Sequence, residues 1–334
     1  MTDTATDSLI GDTAPALHDR PAADPAFRAD VLAGLAARPR AIPARWFYDR
    51  EGSELFERIT DLPEYYPTRV ETALLSAHAG DIARLVGPGR AVVEFGSGSS
   101  TKTPHLLAAV EPAAYVPIDI SGDFLRASSA ALAENFPKLP IVPVEADFMH
   151  PTPMPNRIAG LPRLGFFPGS TIGNMVARTA VNLLRAMVET LGEGSMLLIG
   201  MDRVKSPAIL VPAYDDAQGV TAAFNRNLLH RINRDLDADV PVDAFRHRAI
   251  WNDAHARIEM HLEATRDVAF TIAGDHFMIA AGETIHTENS HKYGPRDARV
   301  LLRAGAWEPI AEWTDPDDQF ALILAEARPA GVAP

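Results

Sequence analysis

The sequence predicts an α/β protein built around a doubly wound, mostly parallel sheet, and two observations carry this prediction. Between residues 90 and 200, short apolar runs alternate with segments of helical periodicity. That alternation is typical of a parallel sheet with helices on both faces. The first apolar run ends in the turn Gly96-Ser97-Gly98, which is typical of the strand-to-helix connection where such sheets bind a ligand.

Each element of this pattern has a local reason. Strands are predicted where apolar residues run together between turn residues, at 90–95, 114–120, 141–144, 164–167 and 195–200, and again near 307–313 and 319–326. Helices are predicted where apolar residues recur at helical spacing, at 103–110, 122–135, 179–191 and 296–305. Gly192 suits the C-terminal cap of the helix at 179–191.

The remaining segments do not fit the alternation. Helical spacing predicts helices at 27–39, around Leu55, at 69–86 and, as one long helix, at 213–236. Ile258, Met260 and Leu262 alternate with polar residues, which predicts a half-exposed antiparallel strand at 257–264. Segments 268–272 and 276–280 are its expected pairing partners.

We therefore predict two domains. The doubly wound domain comprises residues 70–204 and 293–327. A second, α+β domain combines residues 18–69 with the insertion 205–292, and residues 1–17 form a flexible tail.

The composition excludes several kinds of site and partner. The 334 residues include no cysteine, which excludes disulfides, thiolate metal sites and cysteine nucleophiles. The net charge of -13 repels phosphate backbones, so we expect no nucleic-acid partner. The first twenty residues are polar and no run of about 18 apolar residues occurs. We therefore expect no membrane association and a cytoplasmic protein.

The glycine turn predicts a cofactor site, although a plain strand–helix turn without a ligand is the alternative for this segment alone. A dinucleotide-binding turn favours a third glycine where Thr101 stands. Glu94 places a negative charge near the position of a pyrophosphate, and a cationic sulfonium cofactor tolerates that charge better. Asp119 ends the second strand, 23 residues after Gly96, where an acidic side chain receives ribose hydroxyls in doubly wound folds.

The third strand ends in Asp147 and Phe148, which are suited to bracket an adenine ring by a hydrogen bond and a ring contact. Ligands of open α/β sheets bind at this carboxyl edge of the strands. The candidate cofactor-binding residues are Gly96, Ser97, Gly98, Lys102, Asp119, Asp147 and Phe148.

Two further segments carry polar residues suited to a small ligand. The amide of Asn174, which follows the fourth strand, is suited to hold the carboxylate or amine of a substrate. His286, Glu288 and His291 allow a metal site or a polar surface loop as alternatives. Histidines five residues apart match neither a helical pair nor an alternating strand, so we predict no metal.

With these segments in view, the chain resembles the histidine-specific Nα-methyltransferases of ergothioneine biosynthesis over residues 44–326. The most specific motifs are Trp46-Phe47-Tyr48-Asp49, Gly52-Ser53-Glu54-Leu55-Phe56, Leu62-Pro63-Glu64-Tyr65-Tyr66-Pro67-Thr68-Arg69, Gly169-Ser170-Thr171-Ile172-Gly173-Asn174 and Ala213-Tyr214-Asp215-Asp216. The resemblance implies a class I, Rossmann-like methyltransferase with S-adenosyl-L-methionine as co-substrate. It also implies trimethylation of the α-amine of free L-histidine to hercynine, with the second domain binding the substrate.

The resemblance also implies roles for individual residues. Asn174 and Tyr214 match residues that hold the carboxylate and amine of histidine. Tyr48 and Tyr65 match tyrosines close to the substrate, so the expected catalytic residues are Tyr48, Tyr65 and Asn174. Gly169 matches a glycine that lines the pocket.

At the other end of the substrate, the resemblance implies that Glu288 and Ser290 grip the imidazole, with Met260 beside them. If this segment is extended, residues two apart point the same way and both side chains reach one ring.

Other functions remain as alternatives. The same chemistry on another amino acid, such as tryptophan, is the nearest, and the presence of both Glu288 and Ser290 argues against it. A catalytically silent, methyltransferase-like binding protein is the second. A dinucleotide oxidoreductase is the third, and it lacks the third glycine. We expect the protein to be a monomer.

Overall fold

The computed structural model describes residues 24–98 and 102–328, and no helix in that range is long and apolar enough to cross a membrane. The predicted tail at 1–17 and the turn residues 99–101 lie outside the described residues. The helices are α1 Pro25–Ala36, α2 Arg50–Thr60, α3 Tyr66–Ala77, α4 Ala79–Val86, α5 Thr103–Val110, α6 Gly122–Asn135, α7 Ala177–Leu191, α8 Pro207–Leu210, α9 Val220–Asp235 and α10 Pro295–Ala304. The strands are β1 Arg40–Ala41, β2 Ala91–Phe95, β3 Ala114–Asp119, β4 Val144–Glu145, β5 Arg163–Phe167, β6 Met196–Asp202, β7 Phe245–Asn252, β8 Arg257–Ala264, β9 Val268–Ile272, β10 Asp275–Ile279, β11 Thr284–His291, β12 Trp307–Thr314 and β13 Phe320–Ala327.

Among the described residues, the larger sheet has seven strands in the order β12-β13-β6-β5-β2-β3-β4. Strand β13 runs opposite to the other six strands, which all point the same way, so the predicted mostly parallel sheet is confirmed. Strands β2 and β6 are buried along their whole length, as expected for parallel strands covered on both faces. The predicted third strand is shorter than expected, since Ile141 forms only an isolated bridge with Tyr115 ahead of β4.

The smaller sheet has the order β1-β11-β8-β7. The expected pairing of β9 and β10 with β8 is wrong, because β7 and β11 occupy both edges of β8. Strands β9 and β10 instead pair with each other as a separate hairpin. The sequence did not predict β7, in which arginine and histidine interrupt the apolar pattern.

Two predicted helices are each divided in the structure. The segment 69–86 forms α3 and α4, which meet at His78. The segment 213–236 begins with a 3-10 helix at Pro212–Tyr214, and α9 starts only at Val220. Gly219 precedes α9 with a left-handed φ of 73°, and the Asp216 carboxylate accepts hydrogen bonds from the first backbone N–H groups of α9. That cap is the physical reason for the break.

Apolar packing follows the two sheets. One cluster of buried residues joins α1, α2 and α9 to the smaller sheet. Two other clusters cover the two faces of the larger sheet. Phe224 of α9 belongs to the first cluster, and its ring lies 4.5 Å from that of Phe47.

The two sheets meet where β11 passes the 3-10 helix Thr171–Asn174 that follows β5. Gly173 lies so close to β11 that a Cβ atom on it would stand 2.7 Å from the backbone oxygen of His291. The His291 ring nitrogen Nδ1 hydrogen bonds to the Gly173 carbonyl at 2.8 Å. The backbone N–H of Tyr293 donates to the carbonyl of Asp202, at the end of β6, at 2.8 Å.

The contact at Gly173 predicts that Gly173→Ala destabilises the protein by about 1–3 kcal/mol, because the added methyl group meets backbone atoms and has no space. Urea unfolding monitored by circular dichroism measures the change. Gly80→Ala is the matched control, since a Cβ there meets nothing within 4 Å in α4. Equal stability of wild type and Gly173→Ala would contradict the described packing.

Candidate active site

One pocket brings together all eight residues that the sequence assigned to the substrate. It lies between α2, α9, the smaller sheet and the loop after β5. Its walls comprise Tyr48, Phe56, Ile59, Tyr65, Gly169, Thr171, Asn174, Ala213, Tyr214, Thr221, Phe224, Met260, Glu288 and Ser290. Residues from segments more than 200 positions apart therefore line a single site.

A β-bulge in β11 turns Glu288 and Ser290 towards this pocket. Ile285 and His286 pair with Leu262 and His261, and the register then shifts so that Glu288 pairs with Met260. Directly opposite residues of paired strands point to the same face, and Met260 faces the pocket. In a regular ladder Glu288 would pair one residue further along β8 and face the other side. Both side chains do line the pocket, as predicted for an extended segment.

The polar side chains of the pocket bond to one another. The Asn174 side-chain amide donates to Glu288 Oε1 at 3.2 Å. The hydroxyl groups of Tyr214 and Ser290 share a hydrogen bond of 2.7 Å. Each bond joins one residue assigned to the amino-acid end of the substrate to one assigned to its imidazole end.

Burial sets the protonation of these groups. Burial raises the pKa of Glu288 to about 7, although the positive charge of Lys292 opposes the shift. Burial also raises the pKa of Tyr48, Tyr65 and Tyr214 well above its usual range. The three tyrosines are therefore neutral phenols that donate hydrogen bonds and present aromatic faces.

The predicted cofactor residues meet at the carboxyl edge of the larger sheet. Gly96 has a φ of 71°, and a Cβ atom on it would stand 3.1 Å from the Phe148 ring. The backbone N–H of Gly98 donates to Asp119 Oδ2 at 3.1 Å. Asp147 accepts from the backbone N–H of Met149 at 3.0 Å, which fixes the end of that loop. The edge thus offers a glycine turn, an anchored carboxylate and an aromatic ring, which suits a nucleoside.

Lys102 lies at the same edge, but its ammonium group forms an ion pair with Glu71, which is fully buried. The other partner of Glu71 is the backbone N–H of Gly169, at 2.8 Å. The ion pair therefore links the start of α5 to the loop that lines the pocket. No sequence pattern indicated Glu71.

The electrostatic argument built on Glu94 is wrong. The structure buries its carboxyl group, which accepts hydrogen bonds from Thr103 Oγ1 at 2.7 Å and from the Tyr115 hydroxyl at 2.5 Å. Burial raises the pKa of Glu94 to about 7. The carboxyl group therefore supports the turn from within the core and is not exposed at its surface.

The metal alternative that groups His286, Glu288 and His291 finds no support within the described residues. Glu288 faces the pocket, whereas the His286 ring stacks on His261 at 4.7 Å between ring centroids. His291 is bonded to Gly173. The three described residues that do cluster are Glu259, His261 and His286.

Several pocket residues had no functional signal in the sequence. Phe56, Ile59 and Phe224 line the pocket, but apolar residues at helical spacing predict packing only. The Phe224 ring lies 5.8 Å from that of Tyr48 and 6.0 Å from that of Phe56, so Phe224 packs against both of these pocket side chains.

The raised pKa of Glu288 predicts a pH-dependent stability difference between wild type and Glu288→Gln. The folded protein keeps a proton that the unfolded chain releases, so wild type loses stability as the pH rises towards about 7. Relative to Glu288→Gln, that loss approaches at most about 3 kcal/mol. Urea unfolding of both proteins at about pH 5 and about pH 8 measures it. Glu57→Gln, on the exposed side of α2, is the control, and a pH-independent difference for Glu288→Gln would refute the assignment.

The sequence comparisons agree with this geometry. The family model for histidine-specific, S-adenosylmethionine-dependent methyltransferases matches residues 27–327. A histidine N-alpha-methyltransferase of Mycolicibacterium smegmatis is 41% identical over 310 residues, covering 90% of this chain and 94% of the relative. Its counterpart from Mycobacterium tuberculosis is 43% identical with the same coverage.

A more distant relative, ergothioneine biosynthesis protein 1 of Neurospora crassa, is 28% identical over 302 residues, which cover 87% of this chain and 34% of that protein. The match to the family model spans both sheets and every residue of the pocket. The chain therefore belongs to the histidine-specific, S-adenosylmethionine-dependent methyltransferases, which have the class I, Rossmann-like fold.

Proposed function

We propose that this enzyme transfers methyl groups from S-adenosylmethionine to the α-amine of free L-histidine, three times in succession, to give hercynine for ergothioneine biosynthesis. One observation carries the proposal. The eight residues matched to the family's substrate site line a single pocket, and Gly169 connects it to the carboxyl edge where the cofactor residues lie.

Histidine has polar groups at both ends, and the pocket has a polar pair for each. Asn174 and Tyr214 are the proposed partners of the carboxylate and amine, and Glu288 and Ser290 are those of the imidazole. These four residues bond to one another in two pairs. Histidine would exchange those bonds for its own, so no buried polar group is left without a partner.

The chemistry requires positioning more than strong acid–base catalysis. The lone pair of the unprotonated amine forms the N–C bond while the C–S bond of the sulfonium breaks, and its electron pair leaves with the sulfur. Tyr48 and Tyr65 remain neutral phenols, so their aromatic faces are suited to stabilise the cationic sulfonium and the methylated ammonium by cation–π contact.

The polar imidazole end supports histidine over an indole amino acid. Glu288 is 9% exposed and Ser290 is 4% exposed, and an indole offers a single N–H donor to both. The complete set of pocket residues argues against a silent binding protein.

Other features of the proposal rest on the sequence. The domain boundaries are supported by the separate apolar clusters of the two sheets. The absence of a required metal, the monomeric state and the cytoplasmic location remain predictions.

The two ends of the site predict separable defects. Asp119→Ala should weaken S-adenosylhomocysteine binding by about 1–3 kcal/mol, through loss of charge-assisted ribose bonds. Asn174→Ala should instead impair kcat/KM for histidine and leave S-adenosylhomocysteine affinity nearly intact. Isothermal titration and steady-state kinetics measure both effects. If cofactor affinity collapses in Asn174→Ala as well, the assignment of Asn174 to the substrate is wrong.

The function itself predicts that histidine gains the mass of one, two and three methyl groups when it is incubated with the protein and S-adenosylmethionine. Tryptophan should not be methylated at a comparable rate. Glu288→Ala should lower the ratio of kcat/KM for histidine to that for tryptophan by roughly 10- to 100-fold, because the imidazole N–H loses its buried partner. Mass spectrometry follows both reactions, with Glu57→Ala as the control. A ratio unaltered in Glu288→Ala would place the specificity elsewhere.

A further inference from the structure

Lys292 lies directly behind the pocket and uses every hydrogen that its ammonium group carries. Its side chain is completely buried, just beyond the end of β11. The Nζ atom lies 2.6 Å from Asp202 Oδ2, 2.9 Å from the Tyr214 hydroxyl and 2.8 Å from Ser290 Oγ. An ammonium group has three N–H donors, so these three acceptors satisfy it completely.

This arrangement fixes the hydrogen bonding of the two pocket hydroxyl groups. Tyr214 and Ser290 each accept a hydrogen bond from Lys292, and they also share a bond of 2.7 Å. One of their two hydroxyl protons fills that shared bond. The other proton takes no part in these bonds and remains for a partner in the pocket, which both residues line. The pair therefore offers one directed donor to a ligand.

The carboxylate of Asp202, which does not line the pocket, balances the charge of Lys292. Asp202 is fully buried at the end of β6 and also bonds to Lys205, at 2.5 Å, and to the Tyr66 hydroxyl, at 2.7 Å. Burial alone would raise the pKa of Asp202, but Lys292 and Lys205 outweigh it and lower the pKa. The carboxylate is therefore charged, and it anchors the ammonium group to the larger sheet.

We propose that Lys292 is a positioning residue for the substrate, which orders the hydroxyl groups of Tyr214 and Ser290 and ties them to Asp202. The inference rests on the proposed function, because it concerns the same pocket. Lys292 does not line the pocket, so it acts on the substrate through the two hydroxyl groups.

The chain provides a matched control in Lys205. Lys205 bonds to the same carboxylate, to Tyr66 and to the carbonyl of Arg203, but the hydroxyl groups of the pocket are not among its partners. A loss that arises only from disturbing Asp202 would therefore follow from removing either lysine. A loss that arises from disordered hydroxyl groups would follow only from removing Lys292.

The test compares Lys292→Met with Lys205→Met. Lys292→Met should raise the KM for histidine by about 10- to 100-fold, as for loss of a buried hydrogen bond to a charged group, with a smaller effect on kcat. Affinity for S-adenosylhomocysteine should stay within about two-fold, and Lys205→Met should alter the histidine KM by no more than that. An equal rise in both variants would overturn the inference.

A double-mutant cycle separates positioning from general stability. In the background Tyr214→Phe with Ser290→Ala, no hydroxyl group remains to be ordered, so Lys292→Met should add no more than about two-fold to the KM. The same 10-fold or larger rise in that background would overturn the inference. If circular dichroism shows that Lys292→Met does not fold, Lys292→Gln, which keeps two N–H donors, is measured in the same cycle.

The outcomes also separate this inference from the proposed function. If wild type methylates histidine but Lys292→Met behaves like Lys205→Met, only the inference fails. In the other case, wild type methylates a different amino acid. If Lys292→Met then raises the KM for that amino acid and Lys205→Met does not, the proposed substrate fails and the inference stands.

Discussion

The buried ion pair between Asp202 and Lys292 is the contact on which the site depends. It joins the end of β6 to the residue after β11, and both side chains are almost completely buried. Separating the partners would leave the buried ammonium group of Lys292 without its countercharge, which costs several kcal/mol in the interior. The larger and smaller sheets are therefore held together at this point, and the pocket lies beside it.

Close backbone packing supports the same junction. The 3-10 helix Thr171–Asn174 fits against β11 because Gly173 has no side chain. Ser170, just before it, adopts a left-handed φ of 54°, and its hydroxyl oxygen accepts from the backbone N–H of Asp202 at 2.9 Å. The loop that carries Asn174 is thus fixed to the strand end that carries the ion pair, so Asn174 has a defined position in the pocket.

The sequence predicted the larger sheet well because its strands are buried on both faces and read as apolar runs. It predicted the smaller sheet less well because the alternating pattern of a strand with one exposed face does not indicate which other strands pair with it. For that reason β7 was missed and β9 and β10 were paired wrongly. The break before α9 depends on the backbone conformation of Gly219 and on the cap at Asp216, which helical spacing does not reveal.

The residues of the candidate site were predicted from motifs, so features of the site that no motif encodes were missed. A period of two residues does not place Ile285 and Glu288 on one face, so only the pairing itself shows the bulge. Glu71 and Lys292 are single charged residues within otherwise ordinary segments, and their importance arises from burial. Glu94 was misjudged for the converse reason, since its place before the glycine turn did not reveal that its carboxyl group points into the core.

The hydrogen bonds between the polar side chains of the pocket would make recognition an exchange of partners. Asn174 is bonded to Glu288, and Tyr214 to Ser290, so each bond joins a residue proposed to bind one end of the substrate to a residue proposed to bind the other. A molecule with a polar group at only one end would break such a bond and bind only one of its two partners. The other partner would stay buried without a hydrogen bond, at a cost of about 1–3 kcal/mol for each such group. A molecule with polar groups at both ends, at the right separation, satisfies both halves. The proposed pocket would therefore select a ligand by the separation of its polar groups as well as by their chemistry.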